Sequence, residues 1–149
     1  MTERKLRGGV LVVTAASIGG TAVELAMERH WATRVQLIPW VALAMATGGL
    51  TLATLRPTDR AVRVVRWVAA AMVLGAAAGL FFHVRENYNA GPLDFRFADR
   101  WDVMSLRSRL WAAATGSVGP APVLAPAILA QIGVLLALAT IGARHDARS

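Results

Sequence analysis

The sequence predicts an all-α integral membrane protein, a four-helix bundle with up-down topology. Apolar residues make up 56% of its 149 positions and fall in four long runs separated by charged stretches. Each run has close to the ~20 residues that a helix needs to cross ~30 Å of hydrocarbon. With only 17% charged residues, a water-soluble chain of this size would lack the polar groups to cover its surface. Lipid is therefore the expected solvent, and the bilayer the first partner.

The four runs cover residues 8–27, 37–55, 64–83 and 121–142 of a single domain. In the first, Thr, Ser and Glu24 are the only interruptions. The preceding Arg4, Lys5 and Arg7 give it the charge pattern of a signal peptide. However, its apolar region exceeds the ~7–15 residues usual there, and Glu28 and His30 follow where a small-residue cleavage site would stand. The second run carries Pro39 in its first turn, where no backbone hydrogen bond is lost. Pro120, Pro122 and Pro126 bunch at the start of the fourth, so its helix can begin as late as Pro126.

Basic residues set the expected orientation. Arg56, Arg60, Arg63 and Arg66 lie in or beside the second short loop, against Arg29 and Arg34 in the first. The positive-inside rule then puts Arg4, Lys5, Arg7, the second loop, Arg144 and Arg148 in the cytoplasm, with both termini inside. The same rule and the anionic lipid surface account for the net charge of +7 and the pI of 11.6. No basic module with interleaved aromatics is present, so nucleic acid is not an expected partner.

Small residues four apart are expected at helix contacts, where they let backbones approach. They occur as Ala15 with Gly19, Ala16 with Gly20, Ala44 with Gly48, and Ala71 with Gly75 and Gly79. Between spans three and four, Phe97, Trp101, Met104 and Trp111 recur near helical spacing, with charges between them. This pattern predicts an interfacial amphipathic helix on the outer leaflet, the alternative being an ordered loop. Trp31, Trp40 and Trp67 near span ends read as interface anchors.

The absence of cysteine excludes disulfides, thiolate metal sites and a Cys nucleophile. No glycine-rich phosphate loop follows a strand, and Ser17, deep in the first run, has no His and acid in persuasive order. The informative residues are polar ones at or near membrane depth. Glu24 lies about four residues inside the end of helix 1, with Glu28 one turn further on. His30 follows that helix, and His83 closes the third run with Glu86 and Asn87 at spacings of three and four. Gln131 sits in the fourth run, where it can hydrogen-bond to a neighbouring helix.

In a four-span topology the first and third helices end on one side, which predicts a polar outer-face cluster there. A ligand site would use Glu24, His30, His83, Asn87 and Gln131, and a metal site would use His30, His83, Glu28 and Glu86. Imidazole with carboxylate suits zinc, iron or copper. Glu24 and His30 are six residues apart, so both can face inward only if the helix ends between them. A b-type haem or a quinone headgroup are the other candidates, and no cofactor is singled out. A purely structural role, in which these groups satisfy backbone at the helix ends, competes with all of them.

Three stretches resemble a family of small four-span bacterial membrane proteins of uncharacterised activity. They are GTAVELAMERHW (residues 20–31) with Gln36 and Pro39, HVREN (83–87), and PAPVLAPAILAQIGVLLAL (120–138). In that family a Glu and a His close helix 1, a His and an Asn close helix 3, and a Pro-Ala-rich element opens helix 4. Here Ala127 stands in place of the family's usual Gly, and an Arg-rich tail replaces its usual ending. The resemblance implies a four-span protein of the bacterial inner membrane, emphasises Glu24, His30, His83, Asn87 and Gln131, and assigns no activity.

The expected role is a non-enzymatic accessory or structural subunit, in a homo-oligomer or a larger membrane complex. The alternatives are a metal-, haem- or quinone-binding protein using the outer-face cluster, and a small proton-coupled permease using Glu24.

Overall fold

A computed structural model describes residues 2–55 and 58–141. Among them the protein is helical, with no strand. Its α-helices are α1 (Thr2–Met27), α2 (Ile38–Leu55), α3 (Asp59–Ala90), α4 (Leu106–Ala114) and α5 (Ala125–Ala139). Short 3-10 turns occupy Val35–Leu37, Gly91–Leu93 and Ala98–Arg100.

Three stretches are long and apolar enough to cross a membrane: Glu3–Met27, Val35–Leu55 and Asp59–Leu93. The fourth predicted span is shorter than expected. α5 is apolar but has 15 residues, which at ~1.5 Å per residue is about 22 Å of helix. It begins at Ala125, not at 121, because Pro126 is tolerated only in a first turn. The expected end at residue 142 lies outside the described residues, as do Arg56, Arg144 and Arg148.

Charged turns lengthen the other helices beyond their apolar runs. α3 starts where the Thr58 hydroxyl accepts a hydrogen bond from the Ala61 amide at 3.2 Å, an N-cap followed by Asp59 in the first turn. It continues past the expected end at 83 to Ala90. α1 stops in a Schellman turn. The His30 amide donates to the Leu25 carbonyl at 2.9 Å and the Arg29 amide to that of Ala26 at 3.1 Å. Arg29 takes the left-handed conformation there, with φ of 51°, a position where glycine is usual.

The chain divides into two compact units, Met1–Gly75 with Ile128–Ser149, and Ala76–Ala127. In the first, one core draws on Leu25 of α1, Leu43, Ala46 and Ala53 of α2, Val65, Ala69 and Met72 of α3, and Ile132 and Leu136 of α5. Arg7 ties one end of this core. Its Nε donates to the Ala139 carbonyl at 3.0 Å and its Nη2 to the Ala53 carbonyl at 2.6 Å. Both are last-turn carbonyls with no partner inside their own helices, and a cation there also meets the negative end of each helix dipole. Arg66 adds a bond from Nε to Thr140 Oγ1 at 3.1 Å. The start of α1 and the ends of α2 and α5 therefore lie together, so α1 runs opposite to both α2 and α5.

The small-residue pairs are mostly not used within this unit. Ala15, Ala16, Gly19, Gly20, Ala44, Gly48, Ala71 and Gly75 are exposed. The close approach is made instead by Gly133, where a Cβ would stand 2.8 Å from the Ala69 carbonyl oxygen. Gly49 packs less tightly, leaving room for a Cβ at 3.5 Å from Val68.

The second unit has its own small core of Trp101, Ala112, Ala113 and Val118, against which Val84, Tyr88, Phe97 and Met104 pack. Trp101 is only 2% exposed and meets Tyr88 and Phe97 edge-on. Its indole lies directly on the Cα of Gly91, leaving no space for a side chain. The single amphipathic helix expected here does not form. Ser105 breaks it by accepting a hydrogen bond from the Ser108 amide at 3.2 Å, which starts α4 as a separate helix. Phe97, Trp101 and Met104 then turn into the unit's own core, while Trp111 stays exposed.

Replacing Arg7 by Leu should lower unfolding stability in detergent by about 2–3 kcal/mol, the scale for charge-assisted bonds to buried carbonyls; Lys at this position should recover part of it. Unchanged stability in both variants would show that the two carbonyls do not need the guanidinium. Gly133→Val should be more damaging than Gly49→Ala in the same assay, because only the former collides with backbone.

Candidate functional site

The residues expected to form one outer-face cluster fall in both units. In the first, Glu24 and Glu28 are exposed. α1 does end between Glu24 and His30, so the geometric condition for both to face one side is met at the Arg29 turn. His30 is used through its backbone: its carbonyl accepts the Trp40 indole N–H at 2.8 Å. Trp40 also packs against Trp31, with ring centroids 6.3 Å apart. Gln36 closes the same connection, its Oε1 accepting from the amides of Ala32 at 2.7 Å and Thr33 at 3.1 Å. Gln131 reaches from α5 to α1, Nε2 donating to Ser17 Oγ at 3.4 Å.

In the second unit, α3 continues through residues 83–87, so His83, Glu86 and Asn87 do share one side of a helix. Their environments differ. Glu86 is exposed. Asn87 is fully buried and binds three backbone groups: Nδ2 donates to the carbonyls of Ala113 at 3.2 Å and Ala121 at 3.0 Å, and Oδ1 accepts from the Ala121 amide at 2.8 Å. One side chain thereby holds the end of α4 and the approach to α5 against α3. His83 is partly exposed, and its Nδ1 lies 2.7 Å from the Pro122 carbonyl. A carbonyl only accepts, so Nδ1 donates in this contact and Nε2 is the ring nitrogen without a partner among the described residues.

Residues not expected from the sequence complete this arrangement. Asp94 accepts from Arg96 Nε at 2.9 Å, Arg96 Nη2 at 2.7 Å and the Arg96 amide at 3.0 Å. It also accepts from the Gly119 amide at 3.2 Å, which closes the connecting segment on itself. The Arg96 guanidinium bonded to Asp94 holds its carboxyl well below the usual carboxylate range, and Arg96 is raised in turn. Gly119 is required twice over: its φ is 78°, and a Cβ would meet Asn87 Oδ1 at 2.5 Å and Asn87 Cα at 2.6 Å. The Asp94-x-Arg96 spacing was the available signal for the ion pair. Nothing in the sequence marks the backbone carbonyls that His83 and Asn87 select.

Chemically, this arrangement is a set of satisfied backbone links with one imidazole nitrogen left over. Among the described residues, no three His, Asp or Glu side chains gather where they could hold a metal ion. Compared with known proteins, the chain matches no family model, no curated protein and no solved structure.

Asn87→Ala should leave carbonyls and an amide unpaired, at a cost of about 2–4 kcal/mol. The connecting segment should then become protease-sensitive and the Trp101 emission should shift red. Protection equal to wild type would remove Asn87 from this role. A carboxyl depressed on folding stabilises above its unfolded pKa, and that stability is lost only as pH falls through the folded value. The segment should therefore stay protected as pH falls from neutral to about 4, the ordinary carboxylate value, whereas Asp94→Asn should loosen it at neutral pH.

Proposed function

We propose that this chain is a four-span integral membrane subunit with no catalytic role of its own, both termini in the cytoplasm of a bacterial inner membrane. The observation that carries this reading is where the polar residues go. Asn87, Gln131, Gln36 and the His30 carbonyl all serve backbone or inter-helix bonds. α5 is the fourth span, and Arg7 ties its end to that of α2. A short span is accommodated by local thinning or by flanking residues at modest cost.

The outward faces support a role in assembly. On α2, Ala44, Thr47, Gly48 and Thr51 are all exposed at spacings that share one side. The threonine hydroxyls satisfy themselves by donating to carbonyls four residues back, at 2.8 Å for Thr47 and 2.9 Å for Thr51. Such a face admits a second helix closely, and in lipid close packing is the main source of association energy. Cross-linking in native membranes followed by mass measurement in mild detergent should give a discrete oligomer or complex. Gly48→Leu should reduce it to the lone chain without unfolding. A lone chain for the unsubstituted protein would contradict the reading.

His83 favours a second reading. Metal-ligating histidines commonly donate their other ring N–H to a backbone carbonyl, as His83 does to Pro122. A metal or haem bound through Nε2 would give a stoichiometric metal signal or a Soret band that His83→Ala removes. Colourless, metal-free protein from cells supplied with iron and zinc would count against it.

A further inference from the structure

The segment between α3 and α5 hides one set of aromatics and displays another. Trp101 is buried in its core, yet Leu93, Phe95 and Val103 are 85%, 89% and 85% exposed, and Trp111 is 73% exposed. An apolar surface of that kind on a small unit marks a contact with something other than water. Beside Trp111 lies an open groove lined also by Phe97, Met104, Arg107, Ser108 and Ser117. Aromatic and thioether groups stand there with one guanidinium and two hydroxyls. Phe97 in turn carries the Arg100 guanidinium over its ring, 4.7 Å from the centroid.

We infer that this segment docks on the bilayer surface and that the groove takes the phosphate and glycerol region of an anionic phospholipid. The inference rests on the membrane reading above. Two features select lipid over a protein partner. The segment leaves one apolar helix and enters another, and the polar end of α3 beyond residue 82 is only eight residues long, about 12 Å at ~1.5 Å per residue. Chain connectivity therefore keeps the displayed apolar groups within reach of the headgroup layer. The mixture is also the one suited to that layer, in which aromatic and aliphatic groups enter the acyl boundary while Arg107 and the hydroxyls face phosphate. Asp99 and Asp102 are exposed on the same segment, so the attraction is local to the groove and not a general positive field.

The absence of cysteine makes the test direct. Val103→Cys and, as a second exposed site, Phe95→Cys are labelled with an environment-sensitive dye in full-length protein in nanodiscs. Val12→Cys, at an exposed position of α1, serves as the membrane control. Nitroxide lipids of shallow depth should quench most of the dye emission at 103 and 95. Exchange of neutral for anionic lipid should enhance that quenching, and Arg107→Gln should weaken the anionic preference about fivefold. Dye at 103 and 95 that iodide quenches freely, with the Val12 site quenched by deep nitroxides, would overturn the docking and leave the membrane reading standing. Protection from iodide without lipid quenching would mean a protein covers the surface, and would equally overturn it. Failure of every lipid quencher at position 12 would instead remove the membrane reading itself.

Discussion

Backbone groups at helix ends are costly to leave bare where they are buried, and this constraint runs through both units of the described chain. The last carbonyls of a helix have no partner within it, and one packed against other helices needs a donor from the protein. Arg7 answers this for two helices at once by bonding to Ala53 and Ala139. A cation is the suitable group because it matches both the acceptors and the sign of the helix dipole. A neutral donor in the same place would satisfy a carbonyl but not the field. The guanidinium also offers several donors in a fixed fork, so one side chain can serve two separate chains of backbone.

The second unit solves the same problem with an amide. Asn87 both donates and accepts, and so it can hold a turn that presents two carbonyls and an N–H. His83 does part of this work with the Pro122 carbonyl, whose residue lies in a stretch where prolines have removed donors. Trp101 on Gly91 and Gly119 on Asn87 are contacts in which any larger residue would collide. The connecting segment is thus specified by hydrogen bonds and tight packing, whereas the long helices are marked chiefly by their apolar runs.

This difference explains what could be read from the sequence. Apolar runs reveal helices long and apolar enough to cross a membrane, so α1, α2 and the apolar part of α3 were legible. The charged ends were not, since Arg60, Arg63 and the residues from His83 to Asn89 interrupt a hydropathy run without interrupting a helix. α5 was overestimated because Ala121 and Val123 read as apolar although the prolines around them hold the chain out of helix. Phe97, Trp101, Met104 and Trp111 had the spacing of one helix, and the Ser105 cap that divides it was the overlooked signal. Among the site residues, Gln131 and Asn87 were visible as polar groups in apolar surroundings. Their partners are backbone atoms set by the tertiary fold, and no residue type advertises them. Small residues are informative only in part: their spacing shows that a helix can be approached closely, not by which neighbour.

On the reading proposed above, α5 crosses the membrane and the chain spans it four times. Single cysteines at Thr33, Thr58, Ser117 and Ile141 of the cysteine-free chain, treated with a membrane-impermeant maleimide in intact cells, test it most directly. Four spans require Thr33 and Ser117 to label from outside, and Thr58 and Ile141 to label only after the membrane is opened. Labelling of Ile141 from the same side as Ser117 would show that α5 does not cross, and the four-span account would be wrong.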